Sequence, residues 1–381
     1  MPMGVRVLVV DDSVVIRRLV VQALEANPEI EIVGTAANGA IALTKYDQLK
    51  PDAITMDIEM PEMNGVEAVR ALRKRGVRVP IIMFSTLTAR GATATLDALA
   101  AGATDYVTKP ANVGSVQAAL AQVGEQLGPK LLALAGRGPV RRAAAAAPAF
   151  APSRPGAPTT SLRPGVGHKA PSGPAPVAPT HPVRAVVVGS STGGPEALSH
   201  VLRGLTSPLP VPVLITQHMP PLFTAQLAHR LDRLGPSTVV EAEHGQRVVP
   251  GTVYIAPGDT HMEIAGRPGA PTIAITHGDP VNFCRPSVDV MFRSAVAHYG
   301  GELLAVVLTG MGSDGRTGAG QVVTAGGTVI AQDEQTSVVW GMPGAVVGAG
   351  LAHKTLPLAE VASSIAGRVA RTDYYRTGGR S

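Results

Sequence analysis

The chain has 381 residues, 45% of them hydrophobic and 16% charged, with 43 Gly and 33 Pro; it is too long for one core and too rich in turn formers to be two compact domains alone. A single cysteine, Cys284, excludes an internal disulfide framework and a Cys-based zinc cluster, and reads as a spectator thiol in a reducing compartment. The net charge of +5 does not imply nucleic acid, because Arg137, Arg141, Arg142, Arg154, Arg163, Lys169 and Arg184 carry the surplus in a stretch without Asp or Glu, and no basic recognition helix is present.

In chain order, the short β-rich runs "VRVLVV", "IEIVGTA", "AITMD", "VPIIMFS" and "DYVT" each precede a helix-period segment, at 13–26, 38–49, 64–74, 91–100 and 113–127. Five β-then-α units predict a doubly wound (βα)5 parallel sheet over residues 1–128, with ligands at the carboxyl ends of its strands. Residues 129–183 are dominated by Pro, Ala and Gly without hydrophobic period, and read as a linker.

The second domain, 184–370, opens again as β-then-α with "RAVVVG" and "GPEALSHVLRGL", followed by "VPVLITQHMP" and a helical stretch near 221–234. Its middle, "GTVYIAPGDTHMEIAG" and "PTIAITHG", reads as hairpin strands, and the chain returns to β-α with "ELLAVVLTG", "GRTGAGQVVTAG" and "GTVIAQ". The expectation is an α/β parallel-sheet domain with an antiparallel hairpin insertion, then a flexible tail over 371–381. The N-terminus lacks a signal peptide and no apolar run approaches the roughly 20 residues that span a bilayer, which predicts a cytoplasmic protein without direct membrane insertion.

Polar residues of the first domain fall at strand ends: Asp11 and Asp12 after the first strand, Asp57 after the third, Ser85 after the fourth, Lys109 after the fifth. In a parallel sheet these ends share one rim, so three carboxylates, a hydroxyl and an ammonium converge. Clustered carboxylates repel unless a cation sits among them, and oxygen-only donors favour Mg²⁺, held by Asp11, Asp12 and Asp57. Singly, such an Asp is more often a helix cap or turn residue.

"VVDDS", "MDIEMPEMNG", "FSTLT" and "YVTKP", in order and spacing, resemble the response-regulator receiver domain. The resemblance implies that Asp57 accepts a phosphoryl group from a sensor histidine kinase, with Ser85 the switch hydroxyl, Lys109 the phosphoryl contact and Tyr106 an aromatic that changes rotamer.

In the second domain "GSSTGG" fits both a nucleophile turn and a loose dinucleotide loop. The dinucleotide reading lacks the second glycine and an acid after the following strand. A nucleophilic serine needs a base and an orienting acid, and Ser191, His218 and Asp314 all follow β-runs that one sheet would align. Capping, surface and turn roles remain open for each. The order Ser, His, acid departs from the common α/β-hydrolase arrangement.

"GSSTGGPEAL", "TQHMPP", "YIAPGDTHM", "RPSVDVMF", "LTGMGSDG" and "GMPG" resemble the catalytic domain of the chemotaxis protein-glutamate methylesterases. That resemblance implies Ser191 as nucleophile, His218 as base, Asp314 as orienting acid, the Met311 amide in the oxyanion hole and Thr192 assisting, with no cofactor in this domain. It also implies hydrolysis of glutamyl γ-methyl esters on chemoreceptor cytoplasmic domains and glutamine deamidation by the same chemistry; the receiver-linker-enzyme order adds the expectation that an unphosphorylated receiver blocks the catalytic rim and that phosphorylation of Asp57 loosens it. Nothing demands more than a monomer. The rival readings are a phosphorylation-controlled receptor-binding protein with an inactive second domain, and a nucleotide-dependent enzyme.

Overall fold

The computed structural model describes residues 4–110, 114–136, 179, 181–267 and 269–377, with side chains described through 370. The first domain alternates β1 (Val5–Val10), α1 (Val14–Glu25), β2 (Ile30–Ala36), α2 (Gly39–Leu49), β3 (Ala53–Asp57), α3 (Gly65–Lys74), β4 (Ile81–Ser85), α4 (Ala89–Ala100), β5 (Asp105–Thr108) and α5 (Val116–Leu134). Its parallel sheet has the order β2-β1-β3-β4-β5. β3 and β4 are buried throughout, as their unbroken apolar runs require when helices cover both faces.

Local signals start the helices. Ser13, Asn38, Thr88 and Ser115 accept the orphan amides of Ile16, Ile41, Gly91 and Ala118 at the starts of α1, α2, α4 and α5. Asn64 and Glu67 form a reciprocal capping box on α3. The Thr88 cap begins α4 two residues earlier than periodicity suggests.

The second domain contains β6 (Ala185–Ser190), α6 (Gly194–Arg203), β7 (Val213–Gln217), α7 (Phe223–Leu231), β8 (Thr238–Glu241), β9 (Thr252–Ile255), β10 (His261–Arg267), β11 (Ala270–Thr276), α8 (Val288–Tyr299), β12 (Leu303–Val307), α9 (Arg316–Thr324), β13 (Thr328–Gln332), α10 (Met342–Gly348), β14 (Lys354–Leu356) and α11 (Leu358–Thr377). Seven strands form a parallel sheet in the order β14-β13-β12-β6-β7-β9-β8. The chain winds outward from β6 in both directions, so the switch point lies where β6, β7 and β12 end side by side.

Three expectations are corrected. "TVYI" is not a hairpin strand but β9, paired in parallel with β7 and β8; Val253, Tyr254 and Ile255 are buried as a central strand demands, and only β10 and β11 form the antiparallel hairpin. The 128/129 boundary falls inside α5, which continues through Pro129 because Leu127 and Leu131 are buried on either side, outweighing the backbone bond a proline forfeits. Residues 137–178 and 180 of the expected linker lie outside the described residues. The tail expected from 371 begins as helix, since α11 runs to Thr377, anchored by buried Val361, Ile365 and Val369. Residues 378–381 lie outside the described residues. Among the described residues no helix is long and apolar enough to cross a membrane.

The domains pack through α4 and β5 against α6 and α7. Tyr106 stacks on Phe223 with ring centroids 5.0 Å apart and planes 8° from parallel. Thr93 Oγ1 donates to Gln226 Oε1 at 3.1 Å, and Arg230 Nη1 to Asp97 Oδ1 at 3.0 Å. The apolar core continues across this boundary.

Candidate active site and phosphorylation pocket

The acidic residues of the first domain meet where β1, β3 and β5 end. Lys109 Nζ lies 2.9 Å from Asp11 Oδ2 and 2.8 Å from Asp57 Oδ2. Asp11 and Asp57 are buried and Asp12 is exposed. Burial chiefly pushes the Asp57 carboxyl up to about 6; Lys109 opposes this and the Asp11 charge adds to it. Burial disfavours the Lys109 ammonium, but Asp57 and Asp11 together hold it above the ordinary lysine value.

The residues fit Mg²⁺. Asp11, Asp12 and Asp57 each offer an oxygen within 4.8 Å of the others, and buried Asp11 Oδ2 has no partner besides Lys109 among the described residues. All-oxygen donors of high negative charge suit a small hard cation.

Ser85 is buried beside this pocket, but its hydroxyl turns toward α4: Oγ donates to Gly91 O at 3.2 Å and accepts from Thr95 Oγ1 at 2.8 Å. Among the described residues the hydroxyl makes no hydrogen bond to Asp57 or Lys109, although the Ser85 carbonyl accepts from Lys109 N at 2.6 Å. Tyr106 faces the second domain, where it stacks on Phe223.

The second site is built at the β6, β7 and β12 ends. Ser190 is fully buried, and its hydroxyl donates to Gln217 Oε1 at 2.7 Å; Gln217 Nε2 in turn donates to Ser191 O and His218 O, both at 3.0 Å. These bonds tie the ends of β6 and β7 together and leave Ser191 as the serine facing the cleft. Gly193 has φ +76°, which lets the turn enter α6; an added Cβ would meet Val338 at 2.6 Å. Gly310 lets the β12 loop pass Ser191, since a Cβ there would lie 2.8 Å from Ser191 Cβ.

His218 Nε2 pairs with Asp314 Oδ2 at 2.8 Å. The carboxylate is held by a cradle of donors: Val288 N at 2.7 Å, Ser287 Oγ and Asn282 Nδ2 at 2.9 Å, Gly315 N at 3.0 Å and Asp289 N at 3.1 Å. Burial opposes its charge, yet the His218 contact and these donors carry Asp314 down to about 2. Burial likewise disfavours the His218 cation, but hydrogen bonds and charge from Asp314 and Cys284 raise it to about 9.

Cys284 is therefore no spectator: its Sγ lies 3.5 Å from His218 Nδ1, the ring nitrogen that Asp314 leaves free. No hydrogen bond joins Ser191 Oγ to His218 among the described residues. Met311 borders the same cleft of about 590 Å³, whose opposite wall is Tyr106, Glu125 and Lys130 of the first domain. Thr192 does not cap α6, whose N-cap is Gly193 without a side-chain bond; its buried hydroxyl donates across the domain boundary to Asp105 Oδ2 at 2.9 Å. Lys130 Nζ shares that oxygen at 2.5 Å.

Asn282, Ser287, Asp105, Lys130 and Cys284 escaped the sequence reading. "RPSVDVMF" is legible as a motif, but only folding brings the start of α8 against the β12 loop. Cys284, immediately before it, carries no local mark.

Fold and sites together define a response regulator whose output domain is a hydrolase. Residues 7–121 match the response regulator receiver domain and 186–365 match CheB methylesterase. The chain is 58% identical to the protein-glutamate methylesterase/protein-glutamine glutaminase of a Nocardioides species, over 97% of this chain and 96% of the relative. It is 46% identical to a group 2 operon relative of Rhodospirillum centenum, over 93% of this chain and 92% of the relative. The crystal structure of the Thermotoga maritima CheB methylesterase catalytic domain, 44% identical, aligns with a TM-score of 0.48 over 49% of this chain and 98% of its own. The chain belongs to the protein-glutamate methylesterase/protein-glutamine glutaminase family of chemotaxis response regulators.

Proposed function

We propose that this chain hydrolyses glutamyl γ-methyl esters on the cytoplasmic domains of chemoreceptors, as a monomer in the cytoplasm, under control of phosphorylation at Asp57. Ser191 Oγ attacks the ester carbonyl carbon and gives its proton to His218 Nδ1, while Asp314 holds the opposite nitrogen and stabilises the imidazolium. The backbone amide of Met311, which has no acceptor among the described residues, receives the developing oxyanion. His218 returns the proton to the methoxy oxygen, the C–O bond breaks and methanol leaves. Water then adds to the acyl-enzyme with His218 taking its proton, and the seryl oxygen departs as hydroxyl to leave a glutamate carboxylate. With ammonia as leaving group, the same steps deamidate glutamine.

A sensor histidine kinase supplies the phosphoryl group to Asp57. Mg²⁺ held by Asp11, Asp12 and Asp57 supplies positive charge against the phosphoryl oxygens. Lys109 contacts those oxygens, and Ser85 leaves Gly91 and Thr95 to reach them. That exchange loosens α4 and β5, and with them the wall that Tyr106 and Lys130 form over the cleft.

The observation that carries this reading is the His218–Asp314 pair beside Ser191, in a cleft walled by the phosphorylatable domain. Methanol release from methylated receptor membranes tests it, with wild type and Ser191→Ala, with and without a small phosphodonor and Mg²⁺. Release that rises with phosphodonor and vanishes in the variant is expected; release that survives Ser191→Ala would remove the serine mechanism.

A further inference from the structure

Between Asn282 and Cys284, two of the residues that touch the His218–Asp314 pair, stands Phe283, 104% exposed and the one aromatic among the exposed large hydrophobic side chains of the described residues. It occupies the second position of a tight turn. Val281 and Cys284 exchange backbone hydrogen bonds at 2.9 and 3.1 Å, and the central residues Asn282 and Phe283 have φ of 53° and 62°. Two positive φ angles define the turn that favours Asn then Gly. Asn282 obeys the rule; Phe283, a bulky residue in left-handed backbone, does not.

Nothing among the described residues repays this placement, since the ring is left fully exposed. The turn is nonetheless held firmly. Asn282 Nδ2 donates to Asp289 Oδ2 at 2.8 Å and Asp314 Oδ1 at 2.9 Å, and Cys284 Sγ donates to Asn282 O at 3.3 Å. An aromatic ring carried on a pinned turn beside the reacting groups and left in water is the form of a binding anchor. It stays exposed while the receiver walls the cleft, so its partner is not the receiver. A glutamyl ester borne on a protein brings surrounding surface to this rim; a small ester does not.

We infer that Phe283 is a specificity-determining residue that anchors on apolar side chains of the substrate protein beside the esterified glutamate, and so sets the preference for protein esters over small ones. This rests on the methylesterase reading. The contact forms with ground state and transition state alike, so its loss raises KM rather than lowering kcat.

The test measures kcat/KM of the phosphodonor-activated full chain on methylated receptor membranes and on a small soluble carboxylic ester, for wild type, Phe283→Ala, Phe283→Gly and Phe283→Leu. The preference for receptor is expected to fall about tenfold in the Ala and Gly variants, equivalent to about 1.4 kcal/mol, with Leu retaining most of it. Glycine accepts the positive φ, so Phe283→Gly is expected to melt about 2 °C higher even as receptor turnover falls, which separates docking from misfolding. Retention of the wild-type preference in both variants, or an equal kcat loss on both substrates, overturns the inference. Wild type that cleaves the small ester but no receptor ester removes the methylesterase reading itself, and the inference with it.

Discussion

The hydroxyl of Thr192, next to Ser191, donates 2.9 Å across the domain boundary to the carboxylate of Asp105, which Lys130 also holds. A hydrogen bond to a charged, buried group contributes about 1.5–3 kcal/mol, so this bond is a large share of any balance between closed and open forms. Asp105→Ala is expected to raise methanol release without phosphodonor roughly tenfold and to shrink the response to phosphodonor. A basal rate equal to wild type would show that Asp105 does not hold the domains closed.

A base works only when neutral, and His218 is raised from 6.5 to about 9. In the free enzyme kcat/KM is therefore expected to climb with pH and level off above about 9. Cys284→Ala removes one cause of the elevation and should move the rising limb to lower pH. An identical profile in the variant would mean that the thiol does not act on the imidazole.

The same pair links stability to pH. His218 has a folded pKa above its unfolded 6.5, so its contribution is full below 6.5 and is lost as pH rises through about 9. Asp314, lowered from 3.8 to about 2, stabilises above 3.8 and loses that contribution as pH falls through about 2. Melting of the Asp314→Asn variant should lose both arms of this dependence; an unchanged alkaline arm would place its cause elsewhere.

Asp57 has the opposite sign for a carboxylate. Its folded value, raised to about 6 chiefly by burial, means that the protonated form stabilises the fold and that this contribution fades as pH rises through 6. Asp57→Asn should therefore stabilise the metal-free receiver above pH 7, by on the order of 1 kcal/mol given the lost Lys109 pair. Phosphoryl acceptance needs the carboxylate, so at limiting Mg²⁺ it should fall below about 6 and be restored by more Mg²⁺. Acceptance independent of pH from 5 to 8 at limiting Mg²⁺ would contradict the raised value.

The adjacent serines are separable because one is sealed. A fluorophosphonate probe should label Ser191 and spare Ser190, whose hydroxyl is buried against Gln217. Ser190→Ala should keep labelling but lower stability by about 1–3 kcal/mol, since Gln217 Oε1 loses its donor. Label found on Ser190 would reverse the assignment.

The sequence by itself determined what depends on short spacing. Buried parallel strands appear as apolar runs ending in Asp11, Asp57, Ser191 or His218, and helix starts as Ser13, Asn38 or Asn64, because pleat, helix period and caps act within a few residues. Even there "TVYI" misled, since a short apolar run looks the same in a hairpin as in a central strand, and the linker expected from 129 begins inside a helix that core packing carries through Pro129. Only the tertiary structure decided which distant groups meet. Asp314 gains its cradle from residues 282–289, Thr192 its partner from residue 105, and His218 its second neighbour from Cys284. Hydrogen bonds act over about 3 Å, and sequence separation does not limit which groups a fold brings within that reach.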